Sequence, residues 1–315
     1  MAKLGRTDIE IYPLVLGTNT FGWNTEEAEA HAVLDAFSAA GGNLVDTADS
    51  YSAWAPGNSG GESETVLGTW LAGNRDKNVM VATKVSQHPE FKGLSAANVR
   101  SAAEASLKRL GVEAIDLYYA HFDDPDTPLE ETVAAFNDLV TEGKVRHIGV
   151  SNYSPERLRE WIDITERTGA ARPVALQPKY SLVSRSTFEP GLRDIAVAED
   201  ISGLPYHALA SGFLTGKYRT EADLKQSIRG GSASKNLNPS GLAIIEKLDQ
   251  IARARGEVAI ASIALAWTRT RPGITAPIAG ARTADQLGPL LASAELELTR
   301  DEADELTALS DVIGA

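Results

Sequence analysis

Val79-Met80-Val81-Ala82-Thr83-Lys84 is a short apolar run that ends on a charge, and Ile115-Asp116-Leu117-Tyr118-Tyr119-Ala120 is a second run of the same kind. Between them Val99, Ala102, Ala103, Ser106, Leu107 and Leu110 recur at the spacing that puts them on one face of a helix. Ser95 stands where an N-cap belongs and Gly111 where the helix should stop. A short buried strand, an amphipathic helix and another buried strand make a βαβ unit, and such units imply parallel strands.

The same rhythm extends in both directions. Residues 14–17, 43–46, 146–150, 174–177, 201–206 and 274–278 are further short runs, most of them rich in Val, Ile, Leu or Tyr. Thr25 is a second candidate N-cap, and Gly41, Gly73, Gly143 and Gly169 fall where helices should end. Eight strands alternating with helices predict an α/β fold, a closed (β/α)8 TIM barrel. The alternative, an open doubly wound sheet, usually carries a glycine-rich turn after its first strand. Leu16-Gly17-Thr18-Asn19-Thr20-Phe21-Gly22 has the wrong glycine spacing for that turn. Residues 4–13 read as a short N-terminal hairpin capping the barrel bottom. Residues 1–315 are expected to be one barrel domain, a length such barrels reach. Two long connections, residues 53–61 and 211–238, follow strand ends on the face where barrel enzymes keep their sites.

The composition excludes several functions. A net charge of −13 argues against a nucleic-acid surface, which needs a basic stripe, though not against a local phosphate pocket. The absence of cysteine removes thiolate nucleophiles, disulfides and cysteine metal sites. No run is long enough to span a bilayer and the N-terminus has no apolar signal core, so a cytoplasmic protein is expected, as monomer or homo-oligomer. His121-Phe122-Asp123-Asp124 could suggest metal ligands, but residues 124–128 read as a turn into a helix, and no metal is expected.

The barrel reading gathers Asp46, Tyr51, Lys84 and His121 at the ends of neighbouring strands. The stretches that hold them resemble the aldo-keto reductase superfamily, in its bacterial branch similar to potassium-channel beta subunits. They are Asn43-Leu44-Val45-Asp46-Thr47-Ala48-Asp49-Ser50-Tyr51, Gly61-Glu62-Ser63-Glu64 through Gly68, Val81-Ala82-Thr83-Lys84, Asp116-Leu117-Tyr118-Tyr119-Ala120-His121 and Gly143-Lys144-Val145-Arg146-His147-Ile148-Gly149-Val150-Ser151-Asn152. The resemblance implies hydride transfer between NADP(H) and a small aldehyde, ketone or alcohol, with NAD(H) possible as cofactor. Tyr51 would be the proton donor, Lys84 would lower its pKa, Asp46 would hold Lys84, and His121 would orient the carbonyl. For the cofactor the resemblance implies Gly17, Thr18, Asp46, Leu209 and Gly212. Ser151, Asn152 and Gln177 would hold the nicotinamide carboxamide, and Tyr206 would stack on its ring. Lys217, Arg229, Gly280, Arg282 and Gln286 would surround the phosphates, with Arg282 opening a helix. Trp23, Trp54 and His121 would wall the substrate pocket.

Three departures stand out: His207-Ala208 where the family has Ser-Pro, Pro178-Lys179 where it has Asn-Glu, and Leu290 where it often has Asn. Two rival readings remain. An aldolase with a Schiff base on Lys84 would leave Ser151, Asn152, Tyr206 and Arg282 without a task. An NADP(H)-binding regulatory subunit without significant turnover would not need the tetrad.

Overall fold

In a computed structural model of the chain, residues 1–189 and 191–311 are described; Pro190 and the last four residues of the expected domain lie outside them. The chain opens with a hairpin of β1 (Ala2–Lys3) and β2 (Glu10–Ile11), paired antiparallel. Eight parallel strands follow, in the neighbour order β11-β10-β9-β8-β5-β4-β3-β12. They are β3 (Val15–Gly17), β4 (Leu44–Asp46), β5 (Met80–Val85), β8 (Ile115–Ala120), β9 (Val145–Ser151), β10 (Pro173–Gln177), β11 (Ser202–Gly203) and β12 (Ile278–Ala279). Backbone bonds from Gly203 to Gly273 (2.8 Å), Thr275 to Gly203 (2.9 Å) and Ile278 to Pro205 (2.9 Å) join the two ends of the sheet. The fold is the expected (β/α)8 barrel.

Helices α1 (Glu27–Ala39), α2 (Glu62–Gly73), α3 (Ala96–Leu110), α4 (Leu129–Thr141), α5 (Pro155–Thr168) and α6 (Gly191–Ala198) alternate with the strands. Val99, Ala102, Ala103, Ser106 and Leu110 of α3 are buried, and so is the face that the spacing assigned to the core, except for half-buried Leu107. Gly111 and Gly169 cap α3 and α5 with φ of 66° and 73°, values that a side chain would strain. The N-cap of α1 is Glu26, so Thr25 lies one residue too early; its buried hydroxyl has no partner among the described residues.

Leu4 and Ile11 of the hairpin pack on Val15, Leu44, Val174, Ala175, Leu204 and Ala276, near the starts of the barrel strands. The hairpin therefore closes the barrel bottom and leaves the strand C-terminal ends open. One further hairpin, β6 (Gln87–His88) with β7 (Phe91–Lys92), extends the chain beyond β5 and was not foreseen.

Strands seven and eight differ from expectation. β11 covers only two of residues 201–206, and β12 begins at Ile278, where the expected strand 274–278 ends. The apolar runs are real, yet across the barrel seam the described residues join them by one bridge, Gly203 to Ile274, and by individual backbone bonds rather than by a continuous ladder. The stretch 211–238 is a strap rather than a bare loop. It holds α7 (Glu221–Leu224) and α8 (Gly230–Ala233) before α9 (Pro239–Ala254) and α10 (Ile260–Arg269) complete the outer ring with α11 (Gly288–Ala292) and α12 (Arg300–Asp311).

Candidate active site

Asp46 ends β4 opposite Ala82 of the adjacent β5, and Lys84 lies two residues further on, one before the end of β5, on the same face of the sheet as Ala82. The Lys84 ammonium donates to Asp46 Oδ2 (2.7 Å), to the Thr47 carbonyl (2.7 Å) and to Tyr51 Oη (3.0 Å). All three of its donors are used, which is what a fully buried ammonium requires. The other Asp46 oxygen accepts from Gln177 Nε2 at 2.8 Å. Tyr51 Oη also stands 3.5 Å from Asp46 Oδ2. His121 follows β8, with its ring centroid 6.2 Å from that of Tyr51. The tetrad expected from the sequence is thus assembled at the open end of the barrel.

The charges behave differently from one expectation. Burial pushes the Tyr51 phenol up from its ordinary value. The Lys84 charge pulls it down, as anticipated, but Asp46 opposes that pull and the net direction is upward. Burial acts to lower the Lys84 pKa, and Asp46 with Tyr51 outweighs it, so the ammonium stays charged. Burial, then Lys84, hold the His121 imidazole well below its usual range, so it is neutral near pH 7. Its Nδ1 is buried with no partner among the described residues.

Beside the tetrad lies a cavity of about 780 Å³. Trp23, Tyr51 and Trp54 line it together with Asp46, Gly17 and Tyr206; Leu209, Gly212, Lys217, Arg229, Gly280, Arg282 and Gln286 line the remainder. Thr18, Lys84, His121, Ser151, Asn152 and Gln177 are not on its lining. They form its support. Thr18 Oγ1 donates to the Asp46 carbonyl (3.0 Å) and pairs with Ser63 Oγ (2.8 Å). Ser151 Oγ donates to the Gln177 carbonyl (2.9 Å). Asn152, held at a φ of 56°, donates to the His121 carbonyl (2.9 Å) and to Ser151 Oγ (3.0 Å), and accepts from Tyr206 Oη (2.8 Å).

Two glycines set how closely the cavity walls approach. A Cβ on Gly280 would lie 2.5 Å from the Gly17 carbonyl oxygen, so only glycine fits there. Arg229 is tied to Asn19 Oδ1 (3.1 Å) across the chain, and burial, then Arg282, lower its pKa. Arg282 does not open a long helix as expected. It precedes a three-residue 3-10 turn, Ala284–Gln286, and its backbone N–H donates to Gln286 Oε1 at 3.1 Å.

Residues 13–311 match the Aldo/keto reductase family. The chain belongs to this family of oxidoreductases. It is 34% identical to Protein tas of Escherichia coli strain K12, over 98% of this chain and 97% of that one. It is 33% identical to the uncharacterized oxidoreductase YrpG of Bacillus subtilis, over 95% and 92%. It is 31% identical to a probable voltage-gated potassium channel subunit beta of Oryza sativa subsp. japonica, over 90% and 88%. Members of the aldo/keto reductase family generally use NAD(P)H and act on small carbonyl compounds.

In this aldo/keto reductase the part of the cavity beside Tyr51 is aromatic. Trp23 and Trp54 meet edge to face with centroids 5.7 Å apart, and Trp54 lies 6.1 Å from Tyr51. Trp54 is 52% exposed, so its ring forms the rim rather than the core. Sequence reasoning missed Asn19, Thr20 and Asn24, which line the same cavity; nothing in an isolated Asn or Thr after a strand marks it for this role. It also missed the buried acids behind the tetrad. Glu64 is fully buried, accepts from Thr83 Oγ1 (2.5 Å) and pairs with Arg109 (2.6 Å). Asp49 is buried with both oxygens unpartnered among the described residues, and burial with the Glu64 charge pushes its carboxyl well above the usual range. No group of three or more metal-ligating side chains occurs among the described residues, and none of their helices is long and apolar enough to cross a membrane.

Proposed function

We propose that the chain is an NADP(H)-dependent enzyme that interconverts small aldehydes or ketones and their alcohols, with Tyr51 as general acid and base. The observation that carries this reading is the Lys84 ammonium, buried and bonded at once to Asp46 and to the Tyr51 hydroxyl. A structural ion pair would need no phenol on its third donor.

NADP(H), when bound, supplies or accepts the hydride. The residues present fit it: cations at Lys217 and Arg282 without an ion-pair partner among the described residues, a glycine-walled approach at Gly17 and Gly280, and the half-buried Tyr206 ring held by Asn152. Ser151, Asn152 and Gln177 would hold its carboxamide end, and Arg282 with Gln286 its 2′-phosphate end. In reduction, Tyr51 Oη delivers its proton to the carbonyl oxygen, and Lys84 stabilises the phenolate left behind. The neutral His121 ring has one N–H to donate, and with Nδ1 enclosed its Nε2 edge serves to orient the carbonyl oxygen. Trp23 and Trp54 exclude water from the reacting face. In oxidation, the phenolate of Tyr51 takes the alcohol proton.

Residues 1–315 act as one domain in this reading, in the cytoplasm, without nucleic-acid partners; a net charge of −13 supports the last point. The likeness to a probable channel subunit keeps a second reading open, an NADP(H)-binding regulatory chain. A panel of aldehydes and ketones, assayed with NADPH and with NADH by loss of nicotinamide absorbance, separates the two. Turnover that favours NADPH is expected. Tight NADPH binding with no turnover of any carbonyl would overturn the enzymatic reading.

A further inference from the structure

Asp49 stands between Asp46 and Tyr51 in the chain, and the proposed reaction gives it no task. The segment that carries it runs on from β4 along β5: Thr47 N–H donates to the Ala82 carbonyl (2.8 Å) and Asp49 N–H to the Lys84 carbonyl (3.3 Å). Asp49 therefore fastens the segment that ends in Tyr51 to the residue whose ammonium holds the Tyr51 hydroxyl. It is fully buried. Among the described residues neither of its carboxyl oxygens has a donor in bonding geometry, and the group forms no ion pair. A carboxylate without water, donor or counter-charge is costly, and the group avoids that cost by keeping its proton.

The charges around it are already matched. Lys84 on β5 has its three oxygen partners, Asp46 among them. Glu64 on α2 is paired with Arg109 on α3, whose terminal nitrogen reaches Ser106 Oγ at 3.3 Å. Thr83 carries the bond to Glu64, and its ladder partner on β8 is Tyr118, whose buried hydroxyl is also unpartnered among the described residues. Burial, then the Asp49 and Glu64 charges, push that phenol well above its usual range, so it is neutral. His88 on β6 meets Asp49 at Gly60: a Cβ there would lie 2.7 Å from His88 Nε2 and 3.2 Å from the Asp49 carbonyl oxygen. Burial, then Arg109, lower the imidazole pKa, so this ring adds no charge near pH 7. Two cations thus face two carboxylates, and a third carboxylate would find no cation free among these groups. Burial, then the Glu64 charge, push the Asp49 carboxyl well above its usual range; Arg109, the Ser50 backbone N–H and Lys84 pull it down by less.

We propose that Asp49 is a positioning residue of the tetrad that works as an uncharged acid. It keeps its proton in the folded protein and fastens the Tyr51 segment to Lys84 without adding a second negative charge to that of Asp46. An ionised Asp49 would act on Tyr51 in the same sense as Asp46 and disfavour the phenolate. The positioning half of the proposal rests on the enzymatic reading; the retained proton does not.

The test uses the full chain, its Asp49→Asn variant, which is uncharged at every pH, and Asp49→Ala. Infrared spectra near pH 7 of protein labelled with carbon-13 in its aspartate carboxyls should show a protonated-carboxyl band that shifts with the label. The band should be missing in Asp49→Asn, and because it is read in the wild type it stands even if a variant fails to fold. Urea unfolding gives a second reading. An unfolded Asp49 ionises near its ordinary 3.8, and the folded one only at higher pH. The stability that the proton confers is complete below about pH 4 and is lost as the pH rises toward the folded value. The wild-type unfolding constant should therefore gain about tenfold per pH unit on that of Asp49→Asn, from about pH 5 upward until the folded carboxyl ionises. Asp49→Ala should lower kcat by roughly tenfold through the loosened segment, and Asp49→Asn should restore most of it. In alcohol oxidation the pH–rate profile of Asp49→Asn should keep its position. The proposal is overturned by a profile moved to lower pH, by wild-type kcat in Asp49→Ala, or by the absence of a labelled band together with a constant ratio of unfolding constants. Failure of the wild type to oxidise any alcohol or reduce any carbonyl overturns the enzymatic reading instead, and the band and the unfolding ratio still decide the proton.

Discussion

Around Asp46 and Lys84 each charge faces its opposite: the ammonium is bonded to three oxygens, and both oxygens of the acid are engaged. Across the cavity, Lys217, Arg282 and the strap residue Arg229 have no carboxylate partner among the described residues, and burial, then the Arg282 charge, lower the Arg229 pKa. The first region sits on barrel strands whose register fixes it. The second sits on the strap 211–238 and on the turn after β12, built from helices of four or five residues. A group that must move a proton needs its environment set beforehand, and rigid strands provide that. A group that must hold phosphates gains from charge left uncompensated, and short helices on a long connection let the chain close around it.

The sharpest way to break this contrast is Lys84→Met. It leaves Asp46 buried opposite an apolar chain, so the unfolding free energy in urea should fall by about 3–5 kcal/mol. Adding Asp46→Asn should recover part of that loss. The same variant tests the chemistry by its pH profile. Lys84 lowers the Tyr51 pKa against the larger effect of burial, so removing it raises that pKa further. Alcohol oxidation needs the phenolate, and its rate profile should therefore move to higher pH. A profile that keeps its position and loses only amplitude would show that Lys84 places groups without tuning the phenol.

Tyr51→Phe should have the next largest effect. Loss of the general acid should cost at least about 10²-fold in kcat, while NADPH affinity measured by fluorescence stays close to wild type. Retention of more than roughly a tenth of the rate would remove Tyr51 from the mechanism. Arg282→Ala sharpens the other side of the comparison and should be smaller. Its guanidinium is exposed, so a loss of roughly tenfold in NADPH affinity is expected, with NADH changed much less. Equal losses for both cofactors would mean that Arg282 does not meet the 2′-phosphate.

Much of the catalytic end was legible from the chain because strand period and strand order carry it. Once residues 43–46, 79–84 and 115–120 are read as adjacent parallel strands, Asp46, Lys84 and His121 must converge, and in the structure they do. The strap was legible only as a long polar connection. Its short helices have too few residues to show a period, and Asn19, which anchors Arg229, is separated from it by most of the chain.

The sequence alone determined the barrel, the bottom hairpin and the convergence of Asp46, Tyr51, Lys84 and His121, since hydrophobic periodicity and strand order are local properties that add up along the chain. Tertiary structure decided where the sheet closes, because the last strands are defined by cross-seam bonds from residues 203–205 to 273–278 rather than by their own apolar runs. It also decided the sign of the Tyr51 shift and the neutrality of His121. Both depend on how much water the fold removes from a side chain, and burial is a sum over residues that the sequence does not place next to each other.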